Sequence, residues 1–279
     1  MRRLLSACLA LGLAGCTETT IEPNVCGAPQ YVEPDTSIAV GSLARFSFFV
    51  TSLRGLQTLS GCSLGFGGDL RYGETGPGAG LRGADRICAA LAERSMPGAA
   101  QKQWRAFLSA SNGGSGSAVN AIDRIGNGPW YDRLGRIVAN SRAELIAARP
   151  TAADPAIRND LPNEDGVPNH TPDPSQGEVD NHHMLTGSDT SGRFFSASST
   201  CLDWTSARGD TSTEGAPRVG LAWPRSAGRA NGEHWISAMD EAGCAAAVSL
   251  VEMGGPDESH PTVGSGGGYG GFYCFALTP

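Results

Sequence analysis

Gly80-Leu81-Arg82-Gly83-Ala84-Asp85-Arg86-Ile87-Cys88, followed by Trp104-Arg105-Ala106-Phe107-Leu108-Ser109, is the stretch on which the fold turns. Ala84, Ile87, Cys88, Leu91 and Ala92 recur at i, i+3, i+4, i+7 and i+8, one apolar face of an α-helix, and Pro97-Gly98 stops it. Cys88 lies on that inward face. Trp104 to Ser109 then reads as a strand.

Upstream, the aromatic and β-branched run Arg45 to Val50 predicts another strand, and the Gly-rich stretch from Gly61 to Gly80 a loop. Downstream, Val119, Ile122 and Ile125 predict a short helix ended by Gly126, and Trp130 to Val138 a hairpin around Gly135. Ser141 and Glu144 have capping-box spacing. Arg149 to Asn181 has many Pro, Asp and Asn and almost no large apolar residue, so a long surface loop is expected over 149–183. Short strands are expected at Met184 to Gly187, Cys201 to Trp204, His234 to Ile236, Ala246 to Val251 and Phe272 to Phe275. Helices early and antiparallel strands late make an α+β domain.

The chain has 279 residues and a net charge of −7 without a basic run, which argues against nucleic acid as a partner. Arg2 and Arg3 precede the apolar Leu4 to Leu13, a run too short to span a ~30 Å hydrocarbon core. Leu13-Ala14-Gly15-Cys16 resembles the lipobox of bacterial lipoproteins. That resemblance implies a signal peptide over 1–16, acylation of Cys16 and attachment to the cell envelope by lipid. Thr17 does not match the Asp that retains such lipoproteins at the inner membrane, so the outer membrane is expected. The polar residues that follow read as a flexible tether over 17–44, with the domain over 45–279. In an oxidising compartment Cys26, Cys62, Cys88, Cys201, Cys244 and Cys274 are an even set that allows fifteen pairings.

The helix from Gly80 to Cys88, the Trp104 strand, Gly187-Ser188-Asp189 with Gly192-Arg193, and Cys201 with Trp204 resemble endostatin-like domains. Val50-Thr51-Ser52, Gly80 to Cys88, Thr186-Gly187-Ser188, Cys201 to Ser206 and Tyr273-Cys274-Phe275, in that order, also resemble a group of uncharacterised bacterial lectin-like lipoproteins. The resemblance covers about residues 45 to 279 and implies a C-type-lectin-like fold with two helices, short antiparallel sheets and chain-end strands that meet. It implies nested disulfides, Cys88–Cys274 and Cys201–Cys244, each worth roughly 4–5 kcal/mol in the chain-entropy account. The inward face of Cys88 and the aromatic surroundings of Cys274 agree with this. Cys26 and Cys62 fall outside the pattern, and pairing with each other is the simplest option.

The metal sites of those families do not carry over. Glu22-Pro23-Asn24 matches the sugar-binding triplet only in letters, because it precedes the domain; no Trp-Asn-Asp stands before Cys244, and no histidine before His170. Asp160, Asn163, Glu164 and Asp165, with Gly166, are oxygen donors at short spacing and the candidate calcium ligands; a turn-rich acidic loop explains them without an ion. His170, Asp173, Glu178, Asp180, His182 and His183 are zinc-type donors, but adjacent histidines on a strand point opposite ways, and solvated loop residues are the simpler reading. Gly264-Ser265-Gly266 lacks the helix of a nucleophile elbow and reads as a turn. Trp130, Trp204, Trp223 and Trp235 read mainly as core, with Trp204 and Trp235 as candidate stacking surfaces for a ligand.

By analogy of fold, the expected function is a non-catalytic recognition or adhesion module for an extracellular glycan or protein partner, without a catalytic residue or resident cofactor. The alternatives are an accessory envelope lipoprotein with no discrete ligand and a secreted metal-dependent hydrolase using the His-rich loop.

Overall fold

The computed structural model describes residues 23–224, 233–251, 255, 257 and 259–279. Cys16 and the whole signal-peptide segment lie outside the described residues.

The last strand organises the α+β domain. β8 (Gly268–Ala276) is buried along its whole length. Its C-terminal half lies between β1 (Phe48–Val50), with Phe49 opposite Cys274, and β2 (Trp104–Ala106), with Arg105 opposite Phe275; both pairings are antiparallel. Its N-terminal half runs parallel to β5 (His183–Leu185), which continues the sheet through β6 (Arg218–Leu221) to β7 (Met239–Asp240). A separate hairpin pairs β3 (Trp130–Tyr131) with β4 (Ile137–Ala139). The first and last strands of the domain therefore meet. Tyr273 and Phe275 stand between Phe48 and Trp235 in one aromatic cluster.

α2 (Ala79–Ser95) is the helix expected from its apolar repeat, and Ile87, Cys88, Leu91 and Ala92 are buried on it. α1 (Leu53–Ser60) was not read from the sequence, although its ends carry standard signals: the Ser52 side chain accepts from the Gly55 N–H, and Gly61 closes it at φ +70°. α3 (Ala121–Arg124) and α4 (Arg142–Leu145) are short. The capping box at α4 is displaced by one residue, because the Glu144 carboxylate accepts from the N–H of Asn140, and Ser141 makes no side-chain cap bond. Three disulfides close the fold: Cys88–Cys274, Cys201–Cys244 and Cys26–Cys62.

Four expectations need correction. Residues 23–44 do not hang free as a tether. Gly27 N–H donates to Gly61 O at 2.7 Å, Gln30 N–H to Leu59 O at 2.9 Å, and Asp35 N–H to the Glu93 carboxylate at 2.9 Å. Cys201 to Trp204 is a left-handed turn with φ between +49° and +65°, where a strand was expected; the Thr200 side chain accepts from the Asp203 N–H and locks it. His234 to Ile236 and Ala246 to Val251 form no strands, and β6 and β7 take those places in the sheet. The loop over 149–183 is only partly surface. Ile157, Leu161, Asn163, Glu164 and Asn169 are buried, and exposure is concentrated in residues 173–178.

Candidate functional site

α2 places the site through two glycines. A Cβ on Gly80 would collide with the carbonyl oxygens of Asp203 and Trp204, and one on Gly83 with those of Leu70 and Arg71. Without side chains there, two loops lie directly on the helix. One carries Phe66 to Thr75 and the other Cys201 to Arg208. They touch each other: Leu70 N–H donates to Trp204 O at 3.0 Å, and Asp69 forms a β-bridge with Thr205. An open groove of two adjoining cavities runs here: one of about 460 Å³ between the first loop and the segment Asn24 to Tyr31, and one of about 360 Å³ between the two loops.

The larger cavity has an aromatic floor. Tyr31 and Tyr72 lie 4.9 Å apart between ring centroids, and Phe66 meets Tyr72 edge-on at 5.7 Å. The Arg86 guanidinium lies 5.5 Å from the Tyr31 ring and 5.6 Å from the Tyr72 ring. Tyr72 has φ +44°, a left-handed conformation for a bulky residue, and its hydroxyl donates to Gln30 O. Burial pushes the Tyr72 phenol up to about 12, so it stays a donor at neutral pH. Tyr31 is about half exposed and offers an open ring.

Polar groups line the rim. Asp69 accepts from Arg71 through Nε at 2.8 Å and through Nη2, and this bidentate pairing raises the guanidinium further above its ordinary value. Glu74 accepts from Arg82 at 3.0 Å and Arg86 at 3.1 Å, and the Arg82 hydrogen bond leads in holding its carboxyl below the usual range. In the smaller cavity Leu202 stands out from the left-handed turn, 45% exposed. Arg208 Nε donates to Glu214 Oε1 at 2.9 Å. Burial works to raise the Glu214 carboxyl, but hydrogen bonds from Ser206, Arg208 and Gly209 outweigh it and keep the group below its ordinary value.

The residues singled out in the sequence lie elsewhere. Trp204 and Trp235 are fully buried, with indole N–H groups donating to Ser109 O and Leu145 O, so neither offers a face to a ligand. Trp130 and Trp223 are buried as well. Three of the four oxygen donors are spent on the fold. Asp160 accepts from the His170 N–H, Asn163 from the N–H groups of Asp165 and Val167, and Glu164 from the Ser52 N–H and hydroxyl. Asp165 is exposed. Among the described residues no three His, Cys, Asp or Glu side chains gather as a metal site. Glu164 borders a polar cavity of about 270 Å³ beside α1, and burial pushes its carboxyl up to about 7.

The histidines are not solvated either. His182 and His183 are buried, and their rings touch at 4.3 Å because His182 precedes the regular part of β5, so the opposite-face rule does not apply to it. His182 pairs with Asp180 and His183 with Glu241, both at 2.6 Å, and His170 stacks on Trp223 at 3.7 Å. Asp173 and Glu178 are the members of that set left exposed.

The groove was missed because 61–80 read only as a glycine-rich loop and 17–44 as a tether. The available signal was Tyr72 flanked by Arg71, Gly73 and Glu74 in a stretch otherwise poor in large residues. No protein-family model matches the chain, and no curated protein is significantly similar to it.

Proposed function

We propose that the protein is a non-catalytic saccharide-binding module of the C-type-lectin-like kind, held at the cell envelope by lipid on Cys16. The ligand site is the groove over α2. One observation carries this reading: of the six non-glycine residues with positive φ among the described residues, Tyr72 and Leu202 line this groove, and Cys201, Asp203 and Trp204 form the turn that presents Leu202 to it. Backbone held in such conformations costs of order 1–3 kcal/mol per residue and concentrates at functional sites.

The chemistry fits a sugar. Tyrosine rings take the C–H faces of a pyranose, and fixed carboxylate and guanidinium groups take pairs of hydroxyls. Support for the lectin-like reading comes from the pairing of β1 with β8 and the nesting of Cys201–Cys244 inside Cys88–Cys274.

The test is a glycan array probed with the chain from residue 23 onward and with Tyr31→Ala. Tyr31 is half exposed, so its truncation spares the core. Retention of a defined set of saccharides should fall about tenfold in the variant, the value of one aromatic contact of ~1.4 kcal/mol. No retention by the unmodified chain overturns the reading. Retention indifferent to Tyr31→Ala moves the site away from the groove.

A further inference from the structure

The two cavities are not separate pockets. Asp69, Arg71 and Ala207 line both, so whatever fills one abuts whatever fills the other across the Asp69–Arg71 pair. Each falls within the roughly 300–1,000 Å³ of ordinary small-molecule sites, so each is large enough for a ligand unit of its own. They also differ in character. The larger is floored by Tyr31, Phe66 and Tyr72, whereas the smaller presents an aliphatic side chain, Leu202, beside Thr205 and Arg208.

The smaller cavity is fixed in place. Its wall is the left-handed turn, anchored by the Asp203 carboxylate, which accepts from Ser111 N–H at 2.6 Å, Ser111 Oγ at 2.8 Å and Asn112 N–H at 3.0 Å. The Cys201–Cys244 disulfide ties the turn to the loop around Cys244. Arg208 is two-thirds exposed in its side chain yet held by the fully buried Glu214 carboxylate, so its guanidinium stands ordered at the surface. Nη1 of Arg71 and Nη1 of Arg208 make no hydrogen bond among the described residues. Two donors thus remain open beside one apolar side chain, in a wall whose position is already determined.

We infer that the smaller cavity is a second sugar subsite and that the groove takes a linear oligosaccharide of at least two units. The inference rests on the saccharide-binding reading. One unit stacks on Tyr31; the next sets an apolar face on Leu202 and its hydroxyls on the guanidiniums. The glycosidic link crosses the Asp69–Arg71 pair. An exposed leucine on a strained turn has a use in this arrangement that packing does not give it.

The experiment uses the chain from residue 23 onward and homologous series of glucose, mannose, galactose, N-acetylglucosamine and galacturonate, each from monosaccharide to tetrasaccharide. Affinity for at least one series should rise tenfold or more from one unit to two. Leu202→Ala and Arg208→Ala should each remove most of that rise, whereas Tyr31→Ala should weaken every length. Both side chains are exposed, and Arg208→Lys provides a second variant if Arg208→Ala disturbs the loop held by Glu214. Equal affinity for all lengths, with Tyr31 still required, overturns the second subsite and leaves the binding reading standing. So does a rise with length that survives both truncations. Failure to bind any saccharide removes the binding reading itself.

Discussion

Glu164 shows how far a side chain can depart from what its letter suggests. Within Asn163-Glu164-Asp165-Gly166 it reads as a solvated acid, but its carboxylate lies buried at the start of α1 and accepts from the Ser52 N–H at 2.9 Å. Burial pushes the group up to about 7 from an ordinary 4.5. The folded chain therefore keeps a proton that the unfolded chain loses between those two values, and Glu164's contribution to stability falls as pH rises through that window. Asp160, pushed up to about 6 by burial, acts in the same direction, as do Glu241 and Asp85. Half-buried His234, whose pKa is lowered by desolvation, acts in the opposite direction. Glu164→Gln isolates one member of the set. Denaturant titrations from pH 5 to pH 8 should show the unmodified chain losing about 1–3 kcal/mol relative to the variant, one to two pKa units at 1.36 kcal/mol each. Parallel profiles for the two proteins would mean that the Glu164 carboxyl titrates normally.

α2 was legible because a buried face repeating every three to four residues is a property of the sequence itself. Its glycines were legible only as letters, since the need for Gly80 and Gly83 comes from carbonyls of residues 203–204 and 70–71 that the fold delivers to them. The loop over 149–183 failed for the complementary reason. Its composition is polar, yet polar groups are stable inside when each finds a partner. Asn169 and Asn181 donate to each other's carbonyls, and Tyr269 donates to Asn169 Oδ1. Deleting 163–180 should therefore lower the melting temperature by ten degrees or more, a loss of about 3 kcal/mol in a domain this large. Deleting only 173–177 should cost under about 1 kcal/mol, because the Val179 N–H already meets His170 O at 2.9 Å and holds the flanks together. Scanning calorimetry on both deletions checks this; equal losses would mean that the loop behaves as one exposed unit.

Across the whole molecule, both candidate cavities depend on segments distant in sequence. Asn24 to Tyr31 is fastened by Cys26–Cys62, residues 66–75 lie on Gly83, and residues 201–208 lie on Gly80 and are tied by Cys201–Cys244 to a further loop. Contacts of such sequence separation leave no local pattern, which is why the sheet-forming aromatics could be read in advance and the groove could not; the nested disulfide pairing came with the resemblance and not from spacing. The lining itself was in view: Tyr72, Arg71 and Asp69 were read as part of a glycine-rich loop because their chemistry needs Tyr31 and Leu202 beside it. The measurement that tests the central claim most directly is hydrogen–deuterium exchange on the chain from residue 23 onward, with and without the best-retained oligosaccharide. Protection is expected in peptides covering 65–75 and 202–208, with no change in 149–183. Protection confined to 149–183, with the groove peptides unaltered, would contradict it.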